Sequence, residues 1–112
     1  MSKGAHLAEF ELLVMLAIAA LGENAYGVSI ATEINDRTGR DVAMGAVYAT
    51  LGRLADKGYV TFSLSEPEPV RGGRARKLVT LTAAGLRALR QTTDSIARML
   101  DGVTLRPAGI QR

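Results

Sequence analysis

Apolar positions along the chain keep a helical period three times, then alternate, then return to a helical period. From Leu7 to Leu21, Phe10, Leu13, Val14, Ala17, Ile18 and Leu21 share one broad face, and Leu12, Met15 and Leu16 extend it around the helix. A helix apolar on nearly every side must be enclosed by protein, in a core or partly in a dimer interface. Gly22-Glu23-Asn24 breaks it. A second helix is predicted from Tyr26 to about Thr38, with Asn24 as a capping residue, Tyr26, Ile30 and Ile34 in a stripe, and Gly39 as its stop. A third spans about Met44 to Lys57. Val47, Leu51 and Leu54 form its inward stripe, Gly45, Tyr48, Ala49, Gly52, Arg53 and Asp56 fall on the other side, and Gly58 terminates it. Tyr59 to Leu64 then alternates as a strand does, with Val60, Phe62 and Leu64 on one side. Lys77 to Leu81 is a second strand. Between them Glu66-Pro67-Glu68-Pro69 and Arg71-Gly72-Gly73-Arg74 make a long hairpin tip. Thr82 caps a last helix reaching about Asp101, where Leu86, Leu89, Ile96 and Leu100 form a heptad stripe with Thr93 as its polar member and Met99 and Val103 beside it. The tail from Leu105, with Pro107 and Gly109, is expected to fray.

This order of elements predicts a mostly α fold with a small β-hairpin: a winged helix-turn-helix plus a C-terminal dimerisation helix. The expected division is 7–82 for a winged-helix DNA-binding domain, 83–101 for the dimerisation helix and 102–112 for a flexible tail. In such a fold the third helix enters the major groove, which requires small or polar groups on its outer side near its start. Gly45, Ala46, Tyr48, Ala49 and Thr50 meet that requirement. Arg71, Arg74, Arg76 and Lys77 cluster around Gly72 and Gly73 in the hairpin, where glycine lets the backbone approach a phosphate and arginine suits phosphate or a narrow minor groove.

Composition narrows the picture. At 112 residues, 47% of them hydrophobic and 22% charged, the chain holds one domain with one core, and an apolar chain this small gains by hiding surface in an oligomer. A net charge of +3 becomes informative once the wing cations are placed. With Cys 0 and His6 as the lone histidine, an exposed terminal residue, thiolate chemistry, a zinc site and a histidine triad are excluded. No metal, cofactor or catalytic residue is expected. No paired carboxylates share an apolar cleft, and Asp36 and Asp41 flank a turn as solvated groups, so an enzyme is disfavoured. A winged-helix docking module is the remaining rival, and it would not require the Arg71–Lys77 cluster. Leu12–Leu21 has the look of a signal-peptide core, but Glu9 and Glu11 precede it where a positive flank is needed, and it is short of the roughly 20 residues that cross a bilayer. The expectation is a buried helix in a cytoplasmic protein with no membrane contact.

The sequence resembles the PadR family of transcriptional regulators in its short form, from about Leu7 to Leu100. The resemblance rests on Tyr26-Gly27-Val28-Ser29-Ile30, on the run from Gly45 to Leu54, on Lys57-Gly58-Tyr59-Val60, and on Gly72-Gly73-Arg74-Ala75-Arg76-Lys77 leading into Leu81-Thr82-Ala83-Ala84-Gly85. It implies a homodimer held largely by the C-terminal helix and repression at an inverted-repeat operator in double-stranded DNA. By that pattern Gly45, Tyr48 and Arg53 lie near DNA on the recognition helix, with Arg74 and Arg76 on the wing. The DNA-binding set is then Gly45, Ala46, Tyr48, Ala49, Thr50, Arg53, Arg71, Gly73, Arg74, Arg76 and Lys77, and the dimerisation set Leu86, Leu89, Ile96, Met99 and Leu100. Tyr48 is expected on the phosphate backbone, the alternative being partial burial against the wing. Ala49 stands where the family often has proline and Ala46 where it often has a hydroxyl, which removes one phosphate hydrogen bond. Longer relatives carry a further helical domain for which this chain stops too soon, so dimerisation is expected to rest on the last helix and the partner's first. Some relatives stack flat aromatic drugs between interface tryptophans. With Trp 0, and Phe10, Tyr26, Tyr48, Tyr59 and Phe62 all outside the last helix, that mode is excluded, while a small apolar effector bound elsewhere is left open.

Overall fold

Leu12, Val14, Met15, Ala17 and Ile18 cover so much of one helix that the other elements must assemble around it. The computed structural model describes residues 7–66 and 75–107, and in it this helix is α1 (Glu9–Leu21), with all five of those residues buried. A short 3-10 turn at Gly22–Asn24 leads into α2 (Gly27–Thr38), and α3 (Met44–Asp56) follows. The strands β1 (Val60–Leu64) and β2 (Lys77–Leu81) pair antiparallel, Val60 opposite Leu81 and Leu64 opposite Lys77. The helix α4 (Ala83–Leu100) closes the described order. The predicted fold class stands.

Local chemistry sets most of these boundaries. Gly39 ends α2 at φ 74° and Gly58 turns the chain after α3 at φ 79°, a region that costs a side chain about 1–2 kcal/mol. The Thr82 hydroxyl accepts from Gly85 N–H at 3.0 Å and donates to the Gly58 carbonyl at 2.6 Å. It therefore caps α4 and ties it to the turn after α3. Gly85 is obligatory for a different reason: a Cβ there would lie 2.1 Å from the Tyr59 carbonyl oxygen. The start of α2 corrects the expectation. Asn24 is not its cap. Tyr26 takes that position, its N–H donating to Ser29 Oγ at 3.0 Å, and Ser29 donates to the Asn24 carbonyl.

One core collects α1, Ile30, Ala31 and Ile34 of α2, Val47, Leu51 and Leu54 of α3, Val60 and Val79 of the hairpin, and Leu89 of α4. Val79 N–H donates to the Ala25 carbonyl at 2.9 Å and so ties the hairpin to it, while Thr82 N–H to the Tyr59 carbonyl at 3.0 Å continues the ladder between the two strands. Of the hairpin's described residues only Val60 and Val79 are buried in the core. Val60 is buried, while Phe62 and Leu64, predicted on the same side, are exposed because the strands project away from the body. The far end of α4 departs in the same manner. Its buried residues are Gly85, Ala88 and Leu89, and every side chain from Asp94 to Leu100 is exposed.

Candidate nucleic-acid interface

The third helix owes its orientation to its buried side. Val47, Thr50, Leu51 and Leu54 are buried, which forces Gly45, Ala46, Tyr48, Ala49, Gly52 and Arg53 outward. The outward face is mostly small, so a surface as close-fitting as a DNA groove can approach the backbone. Its position relative to α2 is set by the turn between them: Asn35 Oδ1 accepts from Val42 N–H at 2.9 Å, and Arg40 donates to the Glu9 carboxylate of α1 at 3.2 and 2.7 Å. The Arg40 hydrogen bonds and charge keep the Glu9 carboxyl below the ordinary carboxylate value.

Thr50 requires a correction. It is 1% exposed and cannot meet a ligand, because it continues the stripe that runs through Val47 and Leu54. Its hydroxyl instead accepts from Arg53 Nη2 at 2.9 Å. Tyr48, 56% exposed, leans over α2. A Cβ on Gly27 would lie 2.7 Å from its ring and hydroxyl, so glycine at 27 makes room for it. The outer face of α3 is thus bounded by a phenol on one edge and a guanidinium on the other.

The wing base stands beside the phenol. Ser65 and Arg76 extend the hairpin by one further pair, Ser65 N–H to the Arg76 carbonyl and Arg76 N–H to Ser65 Oγ, both at 2.8 Å. The Arg76 guanidinium lies 4.7 Å from the Tyr26 ring centre and Lys77 Nζ 4.4 Å from that of Phe62. Each stacking is worth about 0.5–1 kcal/mol at an exposed site and presents a cation in a fixed direction. Between α2, α3 and the wing lies a cleft of about 660 Å³, lined by Tyr26, Val28, Tyr48, Phe62, Arg76 and Lys77 among others. Arg71, Gly73 and Arg74, and the Pro67–Pro69 stretch, lie outside the described residues.

Two roles are not visible in the sequence pattern. Periodicity assigns Tyr26 to the core stripe of α2, whereas it is half-buried and underlies Arg76; alternation assigns Phe62 to a strand face, and it underlies Lys77. Glu11, 4% exposed, is the third surprise. It accepts from Lys57 Nζ at 3.0 Å with both oxygens and from Ala8 N–H at 3.0 Å, and it lies 3.7 Å from Arg53 Nε. Burial alone would raise its pKa; the Ala8 amide, Lys57 and Arg53 outweigh that and hold it below the ordinary value.

Of the residues assigned to dimerisation, Leu86, Ile96, Met99 and Leu100 are exposed. Leu89 is not. It is buried in its own core, because α4 begins against the body at Gly85 and only then leaves it. Among the described residues, no helix is long and apolar enough to cross a membrane.

The family model described as "Transcriptional regulator PadR-like family" matches residues 15–91. No curated protein matches the sequence. Among solved structures, the chain is similar to a PadR family transcription regulator from Clostridium difficile R20291, with a TM-score of 0.69 and 23% identity over 84% of this chain and 96% of that one. A PadR family regulator from Eggerthella lenta gives 0.65 and 27% identity, covering 84% and 81%. Bacillus subtilis PadR in complex with operator DNA gives 0.63 and 19%, covering 94% of this chain and 54% of that one.

Proposed function

The chain belongs to the transcriptional regulator PadR-like family, and from that premise we propose that it binds double-stranded DNA as a homodimeric repressor of an inverted-repeat operator. The observation that carries this reading is the outer face of α3: Gly45, Ala46, Ala49 and Gly52 leave the helix slim, Tyr48 and Arg53 border it, and Arg76 and Lys77 stand alongside. The start of α3 enters the major groove, where Arg53 meets a base edge or a phosphate and Tyr48 a phosphate. Arg76 and Lys77, with Arg71, Gly73 and Arg74 further along the wing, engage the backbone or the minor groove. Each phosphate they neutralise releases counterion and steepens the salt dependence.

Residues 7–82 make the DNA-binding unit, 83–101 the dimerisation helix and 102–112 a tail. Dimerisation is supported by α4, whose exposed Ile96, Met99 and Leu100 leave an apolar surface without cover on their own chain. Thr93, the polar member of the stripe, donates to the Leu89 carbonyl at 3.0 Å, so a partner can cover it without leaving a hydroxyl unpaired. The partner's α4 lies along Leu13, Leu16 and Ala20 of α1, in a groove of about 390 Å³. Half-sites then fall about one helical turn apart, with recognition helices about 34–36 Å apart.

The test is a binding titration against a duplex enriched from a random library, at several salt concentrations. Replacing Arg76 and Lys77 together by alanine weakens binding to all sequences and lowers the salt slope by about 0.9 for each phosphate no longer neutralised. Unchanged affinity and slope in that double variant remove Arg76 and Lys77 from the interface. Salt-insensitive binding by the unaltered protein removes DNA.

A further inference from the structure

Every other buried residue of α1 is apolar, yet Glu11 sits among them. A buried carboxylate is costly unless paired and hydrogen-bonded. Here the pairing comes from the last turn and C-cap of α3, through Lys57 at 3.0 Å and Arg53 at 3.7 Å. An acidic residue in the first turn of a helix serves that helix well enough from the surface. Its burial under the end of another helix calls for a separate reason.

That reason lies in Arg53. Its Nε faces Glu11 and its Nη2 donates to Thr50 Oγ1 at 2.9 Å, while the side chain as a whole remains 56% exposed. The guanidinium is thus hydrogen-bonded to the buried hydroxyl of α3 and drawn by ion pairing, at 3.7 Å, toward the carboxylate of α1. With the side chain 56% exposed, its other N–H groups are accessible to a ligand. A fork held this way loses less side-chain freedom on binding and is less able to swing to the nearest phosphate. The carboxylate also cancels one of the two positive charges at this end of α3, which lowers affinity for any duplex regardless of sequence.

We infer that Glu11 and Thr50 are positioning residues of the DNA interface, aiming Arg53 and restraining the charge of the Arg53–Lys57 pair so that sequence-specific binding gains over non-specific binding. This rests on the proposed role of α3. In the homodimer the effect operates in both half-sites.

The experiment compares the unaltered protein with Glu11→Gln and Thr50→Val. Fluorescence anisotropy across a salt series reads binding to the duplex enriched by the unaltered protein and to a shuffled duplex of the same composition. For Glu11→Gln, affinity for the shuffled duplex rises about threefold to tenfold at low salt, and the slope against log salt steepens by about 0.9 for each additional phosphate engaged. The ratio of specific to shuffled affinity falls by about fivefold or more in both variants. For Thr50→Val any steepening of the salt slope is smaller than for Glu11→Gln, because Lys57 keeps its carboxylate partner and only Arg53 is released. A purely structural role would lower both affinities together and leave the ratio intact; that result, or unchanged binding in folded variants, overturns the inference while the DNA reading stands. If Glu11→Gln does not fold, Thr50→Val decides the matter through the ratio. Absence of salt-sensitive binding by the unaltered protein takes down the reading and the inference together.

Discussion

Helices α3 and α4 are both amphipathic, and they use that property in opposite ways. In α3 the whole apolar stripe, Val47, Leu51 and Leu54 with Thr50, is consumed by its own domain, and what remains outside is small or polar. In α4 only Gly85, Ala88 and Leu89 are consumed, and Ile96, Met99 and Leu100 remain outside. A helix whose apolar side is already covered offers water, and therefore DNA, a stable polar surface. A helix whose apolar side is uncovered calls for protein. The molecule measures 61 × 35 × 21 Å along its principal axes, an elongation in keeping with a last helix that outruns its body.

The widest difference between the two helices should appear on truncation. Leu54→Ala leaves a cavity where the side chain is fully buried and costs about 2–5 kcal/mol, read as a lower urea midpoint. Ile96→Ala, exposed on α4, should leave that midpoint nearly unchanged in a protein diluted below its association range. Equal losses at both positions would erase the contrast. Next in size, Ile96→Glu with Met99→Glu should weaken self-association at least a hundredfold, about 3 kcal/mol, by sedimentation, with helix content kept. A dimer of unaltered affinity would move the interface off α4.

Smaller effects sharpen the α3 side. Gly27→Ala places a methyl group where the Tyr48 ring lies, 2.7 Å away, and the exposed ring must move aside. Stability should change by less than about 1 kcal/mol, since alanine suits a helix, while affinity for the enriched duplex falls about threefold. Retained affinity would relieve Tyr48 of a direct role at the duplex. The mildest expectation concerns acid. Glu11 has its folded-state pKa lowered, so its contribution is full above the ordinary value of 4.5 and is lost as pH falls through the folded value. The urea midpoints of the unaltered protein and Glu11→Gln should therefore converge as pH drops from about 7 to about 3. A constant gap would mean that the carboxylate's charge contributes nothing.

Legibility followed the range of the interactions. The turns at Gly39 and Gly58 and the cap that Thr82 makes with Gly85 span only a few residues, and each does what its chemistry predicts. Thr50 departs from the expectation even though the sequence holds the clue: it stands three residues after Val47 and four before Leu54, squarely in the inward stripe. It reads as an outward residue only when its polarity is weighed above its position. Leu89 departs for the reverse reason, since one stripe on α4 serves two partners and periodicity does not say where the first ends. Glu11 carries no local sign of its use.

From the sequence alone came the order of elements, the winged-helix architecture, the helix stops and the family resemblance. All of these depend on period, on backbone conformations open to glycine, and on hydrogen bonds between near neighbours. Only the tertiary structure decided that Tyr26 and Phe62 underlie the wing cations, that α4 leaves the body after its second turn, and that a carboxylate of α1 reaches the end of α3. Glu11 and Lys57 are 46 residues apart in the chain and 3.0 Å apart in space, and a distance of that kind is set by how helices pack, which no local pattern encodes.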